Sequence, residues 1–228
     1  MTDTLWDGLK KECGLLTVTT VFITRHGQTE WNVQNRMQGH LDSPLTPLGE
    51  QQAQWLNAGL QKEPLDLVYS SSSPRAYRTA EIIRGERDIP LTACDEFKEI
   101  GMGVWEGCDS GEIEARDPVQ HFNFWKDPEE FRVEGSESFV GVQKRALDKL
   151  QEIVAAHEGQ RILIVTHTVV IKVLMAYFEE RAMEKLWDLP YIYPTCLCRI
   201  DFTDGTAEIL LHGDTSHYVR STEDELFD

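Results

Sequence analysis

The sequence predicts an α/β fold: a three-layer α/β/α sandwich with a mostly parallel central sheet and a smaller helical or irregular subregion capping the site. Two observations predict it. Short runs rich in β-branched and apolar residues alternate along the chain with segments of helical periodicity, the pattern of a sheet covered on both faces. Two of those runs, Ile23-Thr24-Arg25-His26 and Ile164-Val165-Thr166-His167, end in histidine. Parallel neighbours would bring both imidazoles to the same edge, where ligands of such sheets bind.

Val18 to Thr24 is β-branched and apolar and reads as a buried strand. Thr46-Pro47 combines an N-cap with proline at the first helical position, opening a helix to about Gln61 with Ala53, Leu56 and Leu60 on one face. Leu65 to Tyr69 reads as a second strand and Pro74 to Arg84 as a second helix. From Gly107 to Gly135 the pattern is irregular and rich in Asp, Glu and aromatic residues. Two readings stand for it: a helical excursion packing its own small core, or a lid or substrate wall carrying Phe122, Phe124, Trp125 and Phe131. Phe139, Val142, Ala146, Leu150 and Ile153 recur at the spacing of a long amphipathic helix. Arg161 to Thr166 is a third apolar strand, followed by a helix from about Val169 to Phe178. Leu197 to Phe202 and Ala207 to Leu211 flank Asp204-Gly205, a hairpin signal. The expected organisation is an N-terminal extension (1–17), one domain over 18–220 with 107–135 as an insertion, and an acidic, frayed tail (221–228).

Charge narrows the function. With 22 basic and 39 acidic residues the net charge is −17, which disfavours nucleic acid and anionic membranes as partners. No apolar run approaches the length of a membrane span, and Met1 to Leu16 lacks the apolar stretch of a secretory signal. A cytoplasmic location is expected. Cys13, Cys94, Cys108, Cys196 and Cys198 are odd in number and include no C-x-x-C pair, so reduced, mostly buried thiols are expected rather than a zinc site or redox motif.

In so acidic a chain, a site for a phosphate dianion must gather positive charge locally, and clusters of Arg and His stand out. The first is Arg25-His26-Gly27, at a strand's carboxyl end, with Asn32 downstream. Gly27 allows a sharp turn or a close approach, and Arg25 can fork onto phosphate oxygens. The second runs from Ser70 to Glu81: serines and Pro74 lead into a helix whose first turn holds Arg75, where anions bind. Arg78, three residues on, can simply pair with Glu81 or another acid. The third, Glu96 to Gly107, sets Glu96, Glu99 and Glu106 among glycines, and spacing alone does not choose a proton donor among them.

Arg25-His26-Gly27, Arg75, Glu99 and His167, in that order from about residue 18 to about 217, resemble the signature of the histidine phosphatase superfamily, phosphoglycerate-mutase-like branch. Met37-Gln38-Gly39, Asp42-Ser43-Pro44-Leu45-Thr46, His157-Glu158-Gly159 and Gly213-Asp214-Thr215-Ser216-His217 are similar to the small bacterial broad-specificity phosphatases of that branch. The resemblance implies a metal-independent, cofactor-free phosphomonoester hydrolase acting on small phosphate esters. It implies His26 as phospho-acceptor and Glu99 as general acid and base. Arg25, Arg75 and His167 would hold the phosphoryl oxygens, with Asn32, Gln38, Gly27 and Thr168 lining the substrate pocket. Trp31, Met37, Tyr193 and the Phe122 to Phe131 region are the expected rim.

The chemistry suits these residues. Phosphoryl transfer has a loose transition state and is catalysed mainly by positioning and electrostatics. His26 must attack as the neutral imidazole. Glu99 must be protonated to release the alkoxide, and partial burial beside a dianion would raise its pKa. Thr168 stands where the family's usual residue is glycine, so its side chain would either crowd the phosphate or add a hydroxyl at the pocket edge. His40 stands where close relatives tend to carry an aromatic residue. The alternatives are a cofactor-dependent phosphoglycerate mutase, for which the span from Glu99 to His167 looks too short, and an inactive phospho-ligand-binding regulatory module.

Overall fold

The structure, a computed structural model, describes residues 17–219; the expected tail, Cys13 and all but the last residue of the expected extension lie outside the described residues. Six strands form one sheet: β1 (Val18–Arg25), β2 (Leu67–Ser71), β3 (Leu91–Cys94), β4 (Arg161–Thr166), β5 (Leu197–Thr203) and β6 (Thr206–Asp214), in the order β3-β2-β4-β1-β5-β6. The first four are parallel; β5 runs antiparallel to β1, and β6 to β5. Seven α-helices accompany them: α1 (Glu30–Val33), α2 (Pro47–Gly59), α3 (Pro74–Arg84), α4 (Ser110–Arg116), α5 (Pro118–Lys126), α6 (Phe139–Ala156) and α7 (Thr168–Phe178).

The layers follow from strand alternation. Phe22, Val68, Leu163 and Val165 meet Ala53, Leu56 and Leu60 of α2 and Ala76, Ala80 and Ile83 of α3. On the opposite face Val21, Ile23, Ile162 and Ile164 meet Val142, Ala146, Leu150 and Ile153 of α6 and the apolar residues of α7. α7 is buried at every position from Val169 to Ala176, which is why it reads as an apolar run rather than an amphipathic stripe.

The local signals act as expected. Thr46 Oγ1 caps α2 by accepting Gly49 N–H, with Pro47 in the first turn. Asp204 and Gly205 both have positive φ, at 49° and 77°, the conformation of the tight hairpin joining β5 and β6. The second strand is shifted: it starts at Leu67 and takes in Ser70 and Ser71, which the sequence places in a loop. β3, four residues at the sheet edge, is too short and too exposed to leave an apolar pattern.

The middle of the chain is more regular than its composition suggests, holding α4, α5 and a 3-10 turn over Pro128–Glu130. Its aromatic residues divide. Phe124 and Phe131 are buried against each other and Trp105, ring centroids 5.3 to 6.3 Å apart, and extend the main core rather than forming a separate one. Phe122 is 60% exposed. Cys94, Cys196 and Cys198 are buried free thiols and Cys108 is a half-buried one. Among the described residues no helix is long and apolar enough to cross a membrane.

Candidate active site

The two histidine-tipped strands, β1 and β4, are hydrogen-bonded neighbours, with Arg25 opposite Thr166 in the register. His26 N–H donates to Thr166 O at 2.9 Å. The ring centroids of His26 and His167 lie 5.1 Å apart, and both residues are buried. β2, on the other side of β4, delivers the chain into α3 and so brings in Arg75.

His26 Nδ1 lies 2.7 Å from Gly27 O. A carbonyl only accepts, so Nδ1 carries the proton and Nε2 keeps its lone pair. Burial, then Arg75 and Arg25, push the His26 pKa well below 6.5 against the opposing bond to Gly27. His26 is therefore a neutral imidazole with a free Nε2 at neutral pH.

Arg75 is 2% exposed. Its Nη1 donates to Leu41 O at 2.8 Å and Asp42 Oδ1 at 2.9 Å. Its Nη2 donates to Gly39 O at 2.9 Å and lies 3.3 Å from His167 Nδ1. Arg25 Nη1 donates to Ile192 O at 2.9 Å. The Nε atoms of both arginines and Ser73 Oγ are buried with no protein partner, and buried donors in that state are uncommon.

Glu99 is the carboxylate that the fold buries here, at 8% exposure. Its segment is tied to β4 where Thr166 Oγ1 donates to Phe97 O at 2.7 Å. Its carboxylate accepts the backbone N–H of Ile100 at 2.9 Å and of Val169, in the first turn of α7. Burial raises the Glu99 pKa above 4.5, outweighing those two amides and the charges of Arg75 and Arg25. Glu96 is exposed, and Glu106 accepts the backbone N–H groups of His40, Leu41 and Met102.

Of the remaining expected residues, Asn32 and Gln38 have side chains engaged by their neighbours. Asn32 Oδ1 accepts Thr29 N–H, reciprocating the Thr29 cap of α1. Gln38 Nε2 donates to Thr29 Oγ1 at 2.8 Å, and its Oε1 accepts from Ser43. The close approach that Gly27 makes is to another backbone: a Cβ there would lie 2.3 Å from Gly49 O. Thr168 opens α7 without a positive φ, so no backbone distortion accompanies its side chain. Arg78 pairs with Glu50 and Glu81.

Several residues around the site make contacts that the sequence did not assign. Ser71 Oγ lies 2.8 Å from His167 Nε2. Arg145, on α6, donates to the carbonyls of Glu96 and Glu99 and forms a two-pronged pair with Glu137. Glu137 in turn accepts Gly101 N–H at 2.8 Å. His40 Nε2 lies 3.0 Å from Glu99 O. A clamp thus surrounds the backbone of residues 96–101.

A mostly parallel sheet that gathers two neutral histidines, two arginines and a buried carboxyl at one edge has the groups that phosphoryl transfer calls for. The chain matches the histidine phosphatase superfamily (branch 1) over residues 21–215, and it belongs to that superfamily and is a phosphatase. It is 30% identical to phosphoserine phosphatase 1 of Hydrogenobacter thermophilus over 167 residues, covering 73% of this chain and 79% of that one. Among solved structures it resembles YhfR of Bacillus stearothermophilus at 45% identity and a TM-score of 0.86, covering 87% of this chain and 98% of that one. A mutant phosphoserine phosphatase of Entamoeba histolytica in complex with phosphoserine is similar at 27% identity and a TM-score of 0.77, over 88% of this chain and all of that one.

Proposed function

We propose that the protein hydrolyses small phosphomonoesters without a metal, through a phosphohistidine on His26. The observation that carries this reading is the His26–Gly27 contact, which leaves a neutral Nε2 lone pair beside His167 and two arginines. His26 Nε2 attacks phosphorus, the P–O bond to the leaving group breaks, and Glu99 gives its proton to the departing alkoxide. Ionised Glu99 then takes a proton from water as that water attacks the phosphohistidine, which restores His26 and releases phosphate. Arg25, Arg75 and His167 hold the equatorial oxygens, where charge accumulates. The unpartnered Nε atoms of both arginines suit such an acceptor-rich ligand. Asn32, Gln38, Gly27 and Thr168 border the same pocket. Relatives named as phosphoserine phosphatases favour small phosphorylated metabolites as substrates. The four free described cysteines favour a reducing, cytoplasmic setting, and the net charge of −17 favours small molecules over nucleic acid.

The test is phosphate release from p-nitrophenyl phosphate, phosphoserine and 3-phosphoglycerate in the presence of chelator, with alkaline quenching to trap an acid-labile phosphoryl group on His26. Release of phosphate with label on His26, abolished in His26→Ala, is expected. Transfer between two phosphoglycerates without net release would replace hydrolase by mutase. Silence across the panel from folded protein would leave a binding module.

A further inference from the structure

His167 is fully buried, and its two ring nitrogens face partners of opposite demand. Arg75 Nη2 lies 3.3 Å from Nδ1, and Ser71 Oγ lies 2.8 Å from Nε2. A guanidinium donates and never accepts, so Nδ1 carries a lone pair in the unliganded protein. The ring proton is then on Nε2 and is donated to Ser71 Oγ. The same hydroxyl oxygen accepts the backbone N–H of Ser73 at 3.2 Å. Ser71 therefore ends β2 as a double acceptor and fixes the His167 tautomer from behind.

That tautomer is wrong for a phosphoryl ligand. Phosphoryl oxygens accept, and a lone pair at Nδ1 would repel them. We infer that Ser71 is a positioning residue: by accepting Nε2–H it commits free His167 to the Nε2–H tautomer, so a phosphoryl group binds together with one proton taken from bulk solvent onto Nδ1. The inference rests on the proposed role of His167 at the phosphoryl oxygens and adds how that role is switched on. When the ligand arrives, Arg75 Nη2 turns its N–H from Nδ1 to a phosphoryl oxygen, and the protonated Nδ1 donates to another. The bond from Nε2–H to Ser71 stays in place and becomes charge-assisted.

The groups acting on the ring explain why the proton waits for the ligand. Burial first, then Arg75 from α3, His26 just beyond β1, Arg25 at the end of β1 and Arg145 from α6 all disfavour the cation. Glu99, held against Val169 of α7, is the buried carboxyl in the site and can take up a proton of its own. A dianion reverses the balance at the imidazole.

The test uses tungstate, a tetrahedral dianion that does not itself titrate near neutrality. Nitrogen NMR of ¹⁵N-histidine-labelled protein, at a pH well above the ordinary imidazole range, reads the His167 protons directly. The expected result is Nε2–H with a bare Nδ1 in the free protein and protons on both nitrogens with tungstate bound. Calorimetry in two buffers of different ionisation heat counts the protons, using Glu99→Gln to remove the other acceptor. One proton per tungstate is expected there, and none when His167→Gln is added. Ser71→Ala should weaken tungstate about tenfold or more at alkaline pH and less at acidic pH, with recovery in Ser71→Thr. A free His167 that is already charged or carries Nδ1–H would overturn the inference. So would tungstate binding with a neutral tautomer swap and no proton. Failure of tungstate to bind at all would instead undo the phosphoryl-site reading.

Discussion

Val169 donates one backbone N–H to both carboxylate oxygens of Glu99, at 3.2 and 3.3 Å. The first turn of a helix favours an ionised carboxylate, so α7 pulls the Glu99 pKa down while burial pulls it up. Burial wins, and the pKa lies above 4.5. The proposed mechanism needs His26 neutral and Glu99 protonated. With the His26 pKa well below 6.5, kcat/KM should rise with pH in the acid range as His26 loses its proton. It should fall again as Glu99 ionises and as binding has to draw a proton onto His167. A bell-shaped pH–rate profile is expected. Glu99→Gln should lower kcat by ~10²–10⁴-fold on alkyl phosphates, less on p-nitrophenyl phosphate, and make the alkaline fall less steep, leaving the part set by proton uptake at His167. An unchanged alkaline limb in that variant would exclude Glu99 as the acid.

Much of this site is legible in the sequence because the fold writes it at strand ends. His26 and His167 each close an apolar run, and Arg75 follows a Ser-Pro helix start, so a parallel sheet suffices to assemble them. Glu99 is different: Glu96 and Glu106 have the same chemistry nearby, and only burial separates them. Burial is set by contacts distant in sequence, such as Thr166 on Phe97 and Arg145 on Glu99. Arg145 is hidden for the same reason, since a charged residue on a long amphipathic helix reads as solvated. Ser71 is hidden in a run of four serines told apart by their partners, His167 for Ser71 and Asp95 for Ser72. Asn32 and Gln38 carry the opposite lesson: the resemblance points them at the ligand, while local geometry spends part of their hydrogen-bonding on Thr29 and Ser43.

Gly27 and Gly49 hold the His26 turn against α2. A Cβ on Gly27 would lie 2.3 Å from Gly49 O, and one on Gly49 2.0 Å from Gln28 O. Both obstacles are backbone, so neither can swing aside. Gly27→Ala should cost ~1–3 kcal/mol of stability, as overpacking typically does, read as a lower denaturation midpoint. Because Gly27 O also fixes the His26 tautomer, activity should fall more steeply than the folded fraction. A stable, fully active Gly27→Ala protein would show that α2 yields at little cost.

Glu137 links the clamp around Glu99 to stability. Burial raises its pKa, but the Arg145 guanidinium and Gly101 N–H outweigh burial and hold it below 4.5. A carboxyl depressed on folding contributes stability that is present above its unfolded pKa and lost as pH falls through its folded value. The difference in melting temperature between wild type and Glu137→Gln should therefore be largest near neutrality and shrink as pH drops below about 4.5. A difference independent of pH would assign the effect to packing alone. The same variant should lower kcat, because residues 96–101 lose one side of their support.

Thr168 stands where the sequence resemblance leads one to expect glycine, and its consequences can be separated. It occupies the first turn of α7 and does not have a positive φ, so glycine is not needed there for the backbone. The bonds that hold His167, Arg75 and Glu99 run through Ser71, Asp42, Gly39, Leu41 and the Val169 amide. None uses the Thr168 side chain. Thr168→Gly should lose up to about 1 kcal/mol of stability, the usual cost of glycine in a helix. It should leave kcat/KM within about tenfold of wild type, less than ~1.4 kcal/mol in transition-state binding. A larger gain in kcat/KM would mean that the threonine crowds the phosphoryl group and that this chain trades turnover for a smaller pocket. Parallel measurements on p-nitrophenyl phosphate and phosphoserine would tell a crowded phosphoryl site, which slows both equally, from a crowded leaving-group side, which slows only the bulkier ester.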